Sequence, residues 1–132
     1  MHPRPTTSEL TSRLARARDL LLSRPPSYFD ANELQKDLTE LDCYTPEEIS
    51  SGIHSAFHEV SANDYVGHNP PQTGRSPSIA GSDLFEFVWA SIHFNQKMYL
   101  KFCIRRRNSH EELILCSLHK DAPERKKRGG NK

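Results

Sequence analysis

A chain of 132 residues has room for one domain around a single small core. A hydrophobic fraction of 35% and a formal net charge of +1 exclude a chain that is strongly charged throughout, and they favour an apolar core within solvated segments. No run approaches the roughly 18 apolar residues of a membrane span, and the N-terminus lacks the apolar run of a secretion signal. We therefore expect a cytoplasmic protein with no membrane contact.

The cysteines also favour a cytoplasmic protein. The three cysteines form no CxxC pair and show no regular metal-ligand spacing, which is typical of reduced thiols in a cytosolic protein. His54 and His58 lie four residues apart on a predicted helix, a spacing that can bind zinc, but no third ligand is evident. We expect neither a metal nor another cofactor.

Three helices are predicted before residue 61. Residues 8–24 carry apolar side chains at helical spacing, and Pro25 ends the pattern because the residue before a proline avoids helical geometry. A shorter pattern starts at Asp30. The tetrapeptide 45–48 is a capping box with proline at the first helical position, and it starts a third helix that runs to about Val60.

Residues 61–82 hold three prolines and three glycines with little apolar content, which predicts a long loop. Loops of this length in a small domain are usually functional or disordered. We expect this loop to border the active face and to bring His68 or Arg75 toward a bound phosphate. The domain prediction is a single α+β domain over 1–121, flexible at 1–7, followed by a disordered basic tail at 122–132.

The C-terminal part predicts strands near 83–90, 97–106 and 112–119, joined as an antiparallel sheet. A three-residue turn at 108–110 is the simplest way to bring the two later strands together in register. The predicted fold is therefore α+β, with N-terminal helices packed on a C-terminal antiparallel sheet of three or more strands.

Strand alternation separates a core face from a polar face in this hairpin. The predicted core set is Met98, Leu100, Phe102, Ile104, Ile114, Cys116 and Leu118. Matching core to core pairs Tyr99 with His119 and Lys101 with Ser117, and Glu86 on the preceding strand can join the same surface.

This polar face carries the groups that metal-free RNA cleavage requires. A base must take the proton of the 2′-hydroxyl, an acid must protonate the leaving 5′-oxygen, and cations must stabilise the phosphate charge. His119 suits proton transfer because the reference pKa of histidine lies near neutrality. The candidate catalytic residues are Tyr99, His119, Glu86 and His68, and the candidate phosphate-binding residues are Lys101, Arg105, Arg107 and Arg75.

The segments MYLKFCI and LILCSLHK, separated by a turn, resemble the end of the MqsR toxin family, bacterial ribonucleases of type II toxin-antitoxin systems. The resemblance is clearest over 84–119. It implies a RelE-like fold, an mRNA substrate and a cognate antitoxin partner. The family's active-site tyrosine falls on Tyr99, and its basic residue near the C-terminus falls on His119.

Two family positions differ in this chain. The family's glutamine falls near Glu86, which exchanges a neutral side chain for an acidic one, and the family's lysine would lie near 64–68, where His68 stands in its place. The insertion in the 61–82 loop also departs from the family pattern. A non-catalytic RNA- or protein-binding domain is the alternative, since exposed sheet faces commonly carry Lys, Arg, Tyr and His for solubility.

Overall fold

The computed structural model describes residues 3–122. Its elements in chain order are α1 (Thr7–Ser23), β1 (Ser27–Tyr28), α2 (Ala31–Glu40), α3 (Pro46–Glu59), a 3-10 turn (Ala62–Asp64), β2 (Phe85–Ser91), β3 (Gln96–Arg107) and β4 (His110–Lys120). The three predicted helices and the three predicted strands are confirmed. The tail predicted at 122–132 lies, apart from Ala122, outside the described residues.

Each helix begins where a side-chain oxygen accepts a backbone N–H of the first turn. Thr6 caps α1, Asp30 caps α2, and Thr45 caps α3. In α3 the cap is reciprocal, because the Glu48 carboxylate accepts the backbone N–H of Thr45 at 3.0 Å. Arg4, just before the Thr6 cap, forms ion pairs with Glu9 and Asp83, and the flexibility of 1–7 stays a prediction.

The four strands form one sheet in the order β1-β4-β3-β2. β2, β3 and β4 are antiparallel, as expected, but β1 joins β4 in parallel through Ser27 and Tyr28. The predicted antiparallel sheet of three strands is therefore confirmed, and β1 adds a parallel strand at its edge that was not predicted. A strand of only two residues is too short to show the alternation by which a strand is recognised in a sequence.

The β3–β4 turn is one residue shorter than predicted. Arg107 pairs with His110, so only Asn108 and Ser109 form the loop. Both have positive φ, 51° and 68°, which is the backbone of a type I′ turn whose twist matches that of the flanking strands.

A β-bulge restores the predicted register farther along the hairpin. Phe102 pairs with Leu115, whereas Lys101 pairs with Ser117, so Cys116 is the extra residue on β4. Tyr99 consequently faces His119, as predicted, although the turn differs from the predicted one.

The bulge also changes which residues of β4 face the helices. Leu113, Leu115 and Leu118 belong to the core between sheet and helices, whereas Ile114 and Cys116 pack on the other face. The prediction that Ile114 and Cys116 join the helix-side core is wrong, because alternation reverses at a bulge.

The 61–84 segment covers the outer edge of β2 and part of the face opposite the helices. Tyr65 bridges to Phe87, and the Val66 N–H donates to the Glu86 carbonyl at 2.9 Å. Ile79 and Leu84 form a second apolar cluster with Cys103 and Ile114, packed against Cys116. The predicted loop therefore borders the polar face and buries one end of it.

One carboxylate fixes the turn between β2 and β3. Glu59, the last residue of α3, accepts hydrogen bonds from the Trp89 indole at 2.9 Å, the Ser91 hydroxyl at 2.6 Å, and the backbone N–H groups of Ile92 and His93 at 3.0 and 2.8 Å. This contact anchors the β2–β3 connection to the helix layer.

Candidate active site

The centre of the candidate site is Tyr99 on β3. Its neighbours Met98 and Leu100 belong to the helix-side core, so Tyr99 lies on the opposite face, where it is 5% exposed. Its hydroxyl hydrogen-bonds Glu86 Oε1 at 2.5 Å, and its ring stacks on that of His119 with centroids 5.0 Å apart and planes at 29°. Three predicted site residues on three different strands are therefore joined through Tyr99.

The His119 ring is oriented by the backbone. Its Nδ1 lies 2.8 Å from the carbonyl oxygen of Lys120. Because a carbonyl oxygen only accepts, Nδ1 carries a proton, and in the neutral ring Nε2 keeps the lone pair. His119 is half-buried, so Nε2 is the ring atom suited to exchanging a proton with a ligand.

Lys101 lies in the same row of side chains. It pairs with Glu86 on β2 and with Ser117 on β4, and it is half-buried. An ammonium group held at this position supplies the positive charge that a phosphate at the site requires. Glu86, next to it, carries the opposite charge.

Asp37 on α2 is a neighbour of the site that the sequence analysis missed. Burial raises the pKa of this carboxyl, and the charge of His119 opposes that rise, which places the two groups near each other. The sequence holds no signal for this proximity, because Asp37 belongs to the polar face of the predicted helix. Only the packing of α2 beside β4 brings it toward His119.

Arg105 is occupied by structural contacts. Its Nη2 forms an ion pair with Glu112 at 2.6 Å, with both side chains about one-fifth exposed, and its Nη1 donates to the carbonyl of Ser78. The hydrogen bond from Ser27 and the ion pair with Arg105 lower the pKa of Glu112. The guanidinium therefore links β3 to β4 and to the 61–84 segment, and Glu112 extends the contact to Ser27 on β1.

Three further predicted residues, Arg107, Arg75 and His68, are exposed. Arg107 is exposed at the end of β3, six residues from Lys101 and therefore roughly 20 Å along the strand, so the two cannot bind one phosphate. Arg75 is exposed in the covering segment. His68 is also exposed, and its carbonyl accepts a hydrogen bond from the Tyr65 hydroxyl, so its role as a substitute for the family's lysine stays a prediction.

No metal centre is evident in the part of the chain that the structure describes. Within 3–122, no group of three or more His, Cys, Asp or Glu side chains is arranged to hold an ion. His54 is half-buried and His58 exposed on α3.

Comparison of the chain with models of protein families, with curated proteins and with solved structures finds no match. Among residues 3–122, no helix is long and apolar enough to cross a membrane. Function must therefore be inferred from the geometry around Tyr99.

Proposed function

We propose that this chain is a metal-free endoribonuclease, a cytoplasmic mRNA-cleaving toxin of the MqsR-like, RelE-like type that is neutralised by a cognate antitoxin protein. The observation that supports it best is the Tyr99 cluster: a tyrosine stacked on His119, bonded to Glu86 and next to Lys101 on one sheet face. The resemblance of the two strand segments to the MqsR family supplies the toxin class and the antitoxin partner.

The reaction needs two proton transfers and one displacement at phosphorus. His119 Nε2 takes the proton of the 2′-hydroxyl, the 2′-oxygen bonds to phosphorus, and the bond from phosphorus to the 5′-oxygen breaks. The Tyr99 hydroxyl, oriented by Glu86, gives its proton to the leaving oxygen, and Lys101 stabilises the charge that builds on the phosphate. The products are a 2′,3′-cyclic phosphate and a 5′-hydroxyl, and both side chains recover their protonation states from water.

The test compares His119→Ala with a matched control, His110→Ala, an exposed histidine at the turn end of the same strand. Each purified protein is incubated with end-labelled single-stranded mRNA in excess EDTA. We expect His119→Ala to lose about 10²- to 10⁴-fold in cleavage rate, because a positioned acid or base contributes that much, and His110→Ala to keep the wild-type rate. Urea unfolding of both variants checks that the fold is retained.

Two outcomes would overturn this scheme. Equal cleavage by wild type and His119→Ala removes His119 from the mechanism, and cleavage by the wild type that disappears in EDTA requires a metal-dependent reaction instead.

The burial of Tyr99 and the acidic Glu86 beside it favour one alternative, a module that binds RNA or protein without cleaving. Wild-type protein that shifts labelled RNA in a gel but releases no fragment would establish RNA binding without catalysis. Wild-type protein that does neither would leave a protein-binding domain as the remaining interpretation.

A further inference from the structure

Cys103 and Cys116 meet on the face of the sheet opposite the helices. Cys103 lies on β3 in the cluster that contains Ile79 and is 0% exposed, and Cys116 is the half-buried bulge residue of β4. Cys116 follows Ile114 by two residues, so both lie on this face, where Cys116 packs against the cluster that contains Cys103 and Ile114.

The two thiols interact directly and unequally. The two side chains share one apolar cluster, and their interaction raises the pKa of Cys103 and lowers that of Cys116. The positive charge of Lys101 also lowers the pKa of Cys116, although burial and Glu86 oppose this. Cys116 is thus the better nucleophile and the more accessible sulfur, and Cys103 is a thiol held against it.

We propose that Cys103 and Cys116 form a reversible intramolecular disulfide when the protein meets a peroxide. The Cys116 thiolate attacks one peroxide oxygen, the O–O bond breaks, and Cys116 becomes a sulfenic acid while hydroxide leaves. The Cys103 sulfur then attacks the sulfenic sulfur, the S–O bond breaks, and water leaves with the Cys103 proton. Two thiols and one hydrogen peroxide thereby give one disulfide and two water molecules.

The strand register places the two thiols as diagonal neighbours. Cys103 pairs with Ile114, and Cys116 follows Ile114 by two residues on the same face, so a disulfide of about 2.05 Å would join adjacent strands. The loop that the disulfide closes is the β3–β4 hairpin, which is already held by strand pairing. A dithiol reductant reverses the reaction, because thiolate attack on either sulfur reopens the bond.

Cys43 provides an internal control. It is buried in the helix-side core, on the other side of the sheet, and burial raises the pKa of its thiol. It therefore has neither a partner sulfur on the same face nor a lowered pKa, and it should resist the same oxidant.

The test treats the folded full-length chain with a small excess of hydrogen peroxide, then unfolds it in the presence of an alkylating agent and maps the peptides. We expect two of the three thiols to escape alkylation, the linked peptides to contain residues 103 and 116, and dithiothreitol to restore all three thiols. Cys43→Ser should form the same link. Cys103→Ser should stop at a sulfenic acid on Cys116 that dimedone traps, and Cys116→Ser should stay unmodified.

Three results would overturn the proposal: three alkylated thiols after treatment, a link that includes Cys43, or a disulfide between two chains on a non-reducing gel. Far-UV circular dichroism of each serine variant shows whether it has folded. The Cys43→Ser protein retains both reacting thiols, so it tests the link even if the other two variants unfold. The proposal does not depend on RNA cleavage.

Discussion

Replacing Glu59 by glutamine is expected to lower the free energy of unfolding by about 2 kcal/mol at pH 7. The carboxylate accepts four hydrogen bonds, two on each oxygen. Oε1 takes the Trp89 indole and the Ser91 hydroxyl, and both of these residues are 5% exposed. Oε2 takes the backbone N–H groups at 92 and 93, where the turn is exposed.

The expected loss of about 2 kcal/mol follows from the hydrogen bonds that the amide of glutamine cannot accept. Its oxygen can keep the bonds to Trp89 and Ser91, but its NH₂ group then faces two backbone donors that it cannot satisfy. Hydrogen bonds to a charged acceptor contribute about 1.5–3 kcal/mol each, and water reaching the exposed turn recovers part of this loss, which leaves about 2 kcal/mol. The matched control is Glu40→Gln at the exposed end of α2, where the change should be below about 0.5 kcal/mol.

Urea unfolding followed by tryptophan fluorescence measures both variants. The same unfolding measurement repeated at several pH values is an independent check. Burial tends to raise the Glu59 pKa, but the four hydrogen bonds outweigh it and lower the pKa below its usual 4.5. A lowered pKa in the folded state means that the charge stabilises the protein above pH 4.5 and that this contribution is lost as pH falls through the folded pKa. The difference in free energy of unfolding between wild type and Glu59→Gln should therefore be largest at pH 7 and shrink below about pH 4.5. Equal free energies of unfolding at pH 7 would contradict this prediction.

Two further changes test other parts of the fold by the same unfolding assay. Ser109→Gly should raise the free energy of unfolding by about 0.4–1 kcal/mol, because glycine adopts the positive φ of 68° without steric cost. Asparagine followed by glycine is also the preferred sequence of a type I′ turn. An unchanged midpoint of urea unfolding would contradict the turn assignment. Arg18→Met should lower the free energy of unfolding by about 1–3 kcal/mol, because the guanidinium donates to the carbonyls of Phe57 at 2.7 Å and Val60 at 3.0 Å at the end of α3. Arg13→Met on the same helix is the control. Equal effects of the two substitutions would show that the carbonyl contacts do not stabilise the fold.

Elements with local sequence signals were predictable before the structure was known. Helix starts follow from capping residues such as Thr45, and strand faces follow from alternation between neighbours. The pairing of Tyr99 with His119 was predicted as well, but the structure reaches it through a two-residue turn and a bulge at Cys116, and not through the predicted three-residue turn.

Contacts between distant segments depend on how the whole chain packs. The bulge at Cys116 depends on how β4 meets both β3 and the short β1, and the approach of Asp37 to His119 depends on where α2 packs. The ion pair of Arg105 with Glu112, and its hydrogen bond to the carbonyl of Ser78 in a distant segment, likewise depend on the tertiary structure, and phosphate binding by Arg105 stays a prediction. Such contacts are fixed by the packing of the whole core, and the sequence next to each residue does not predict them.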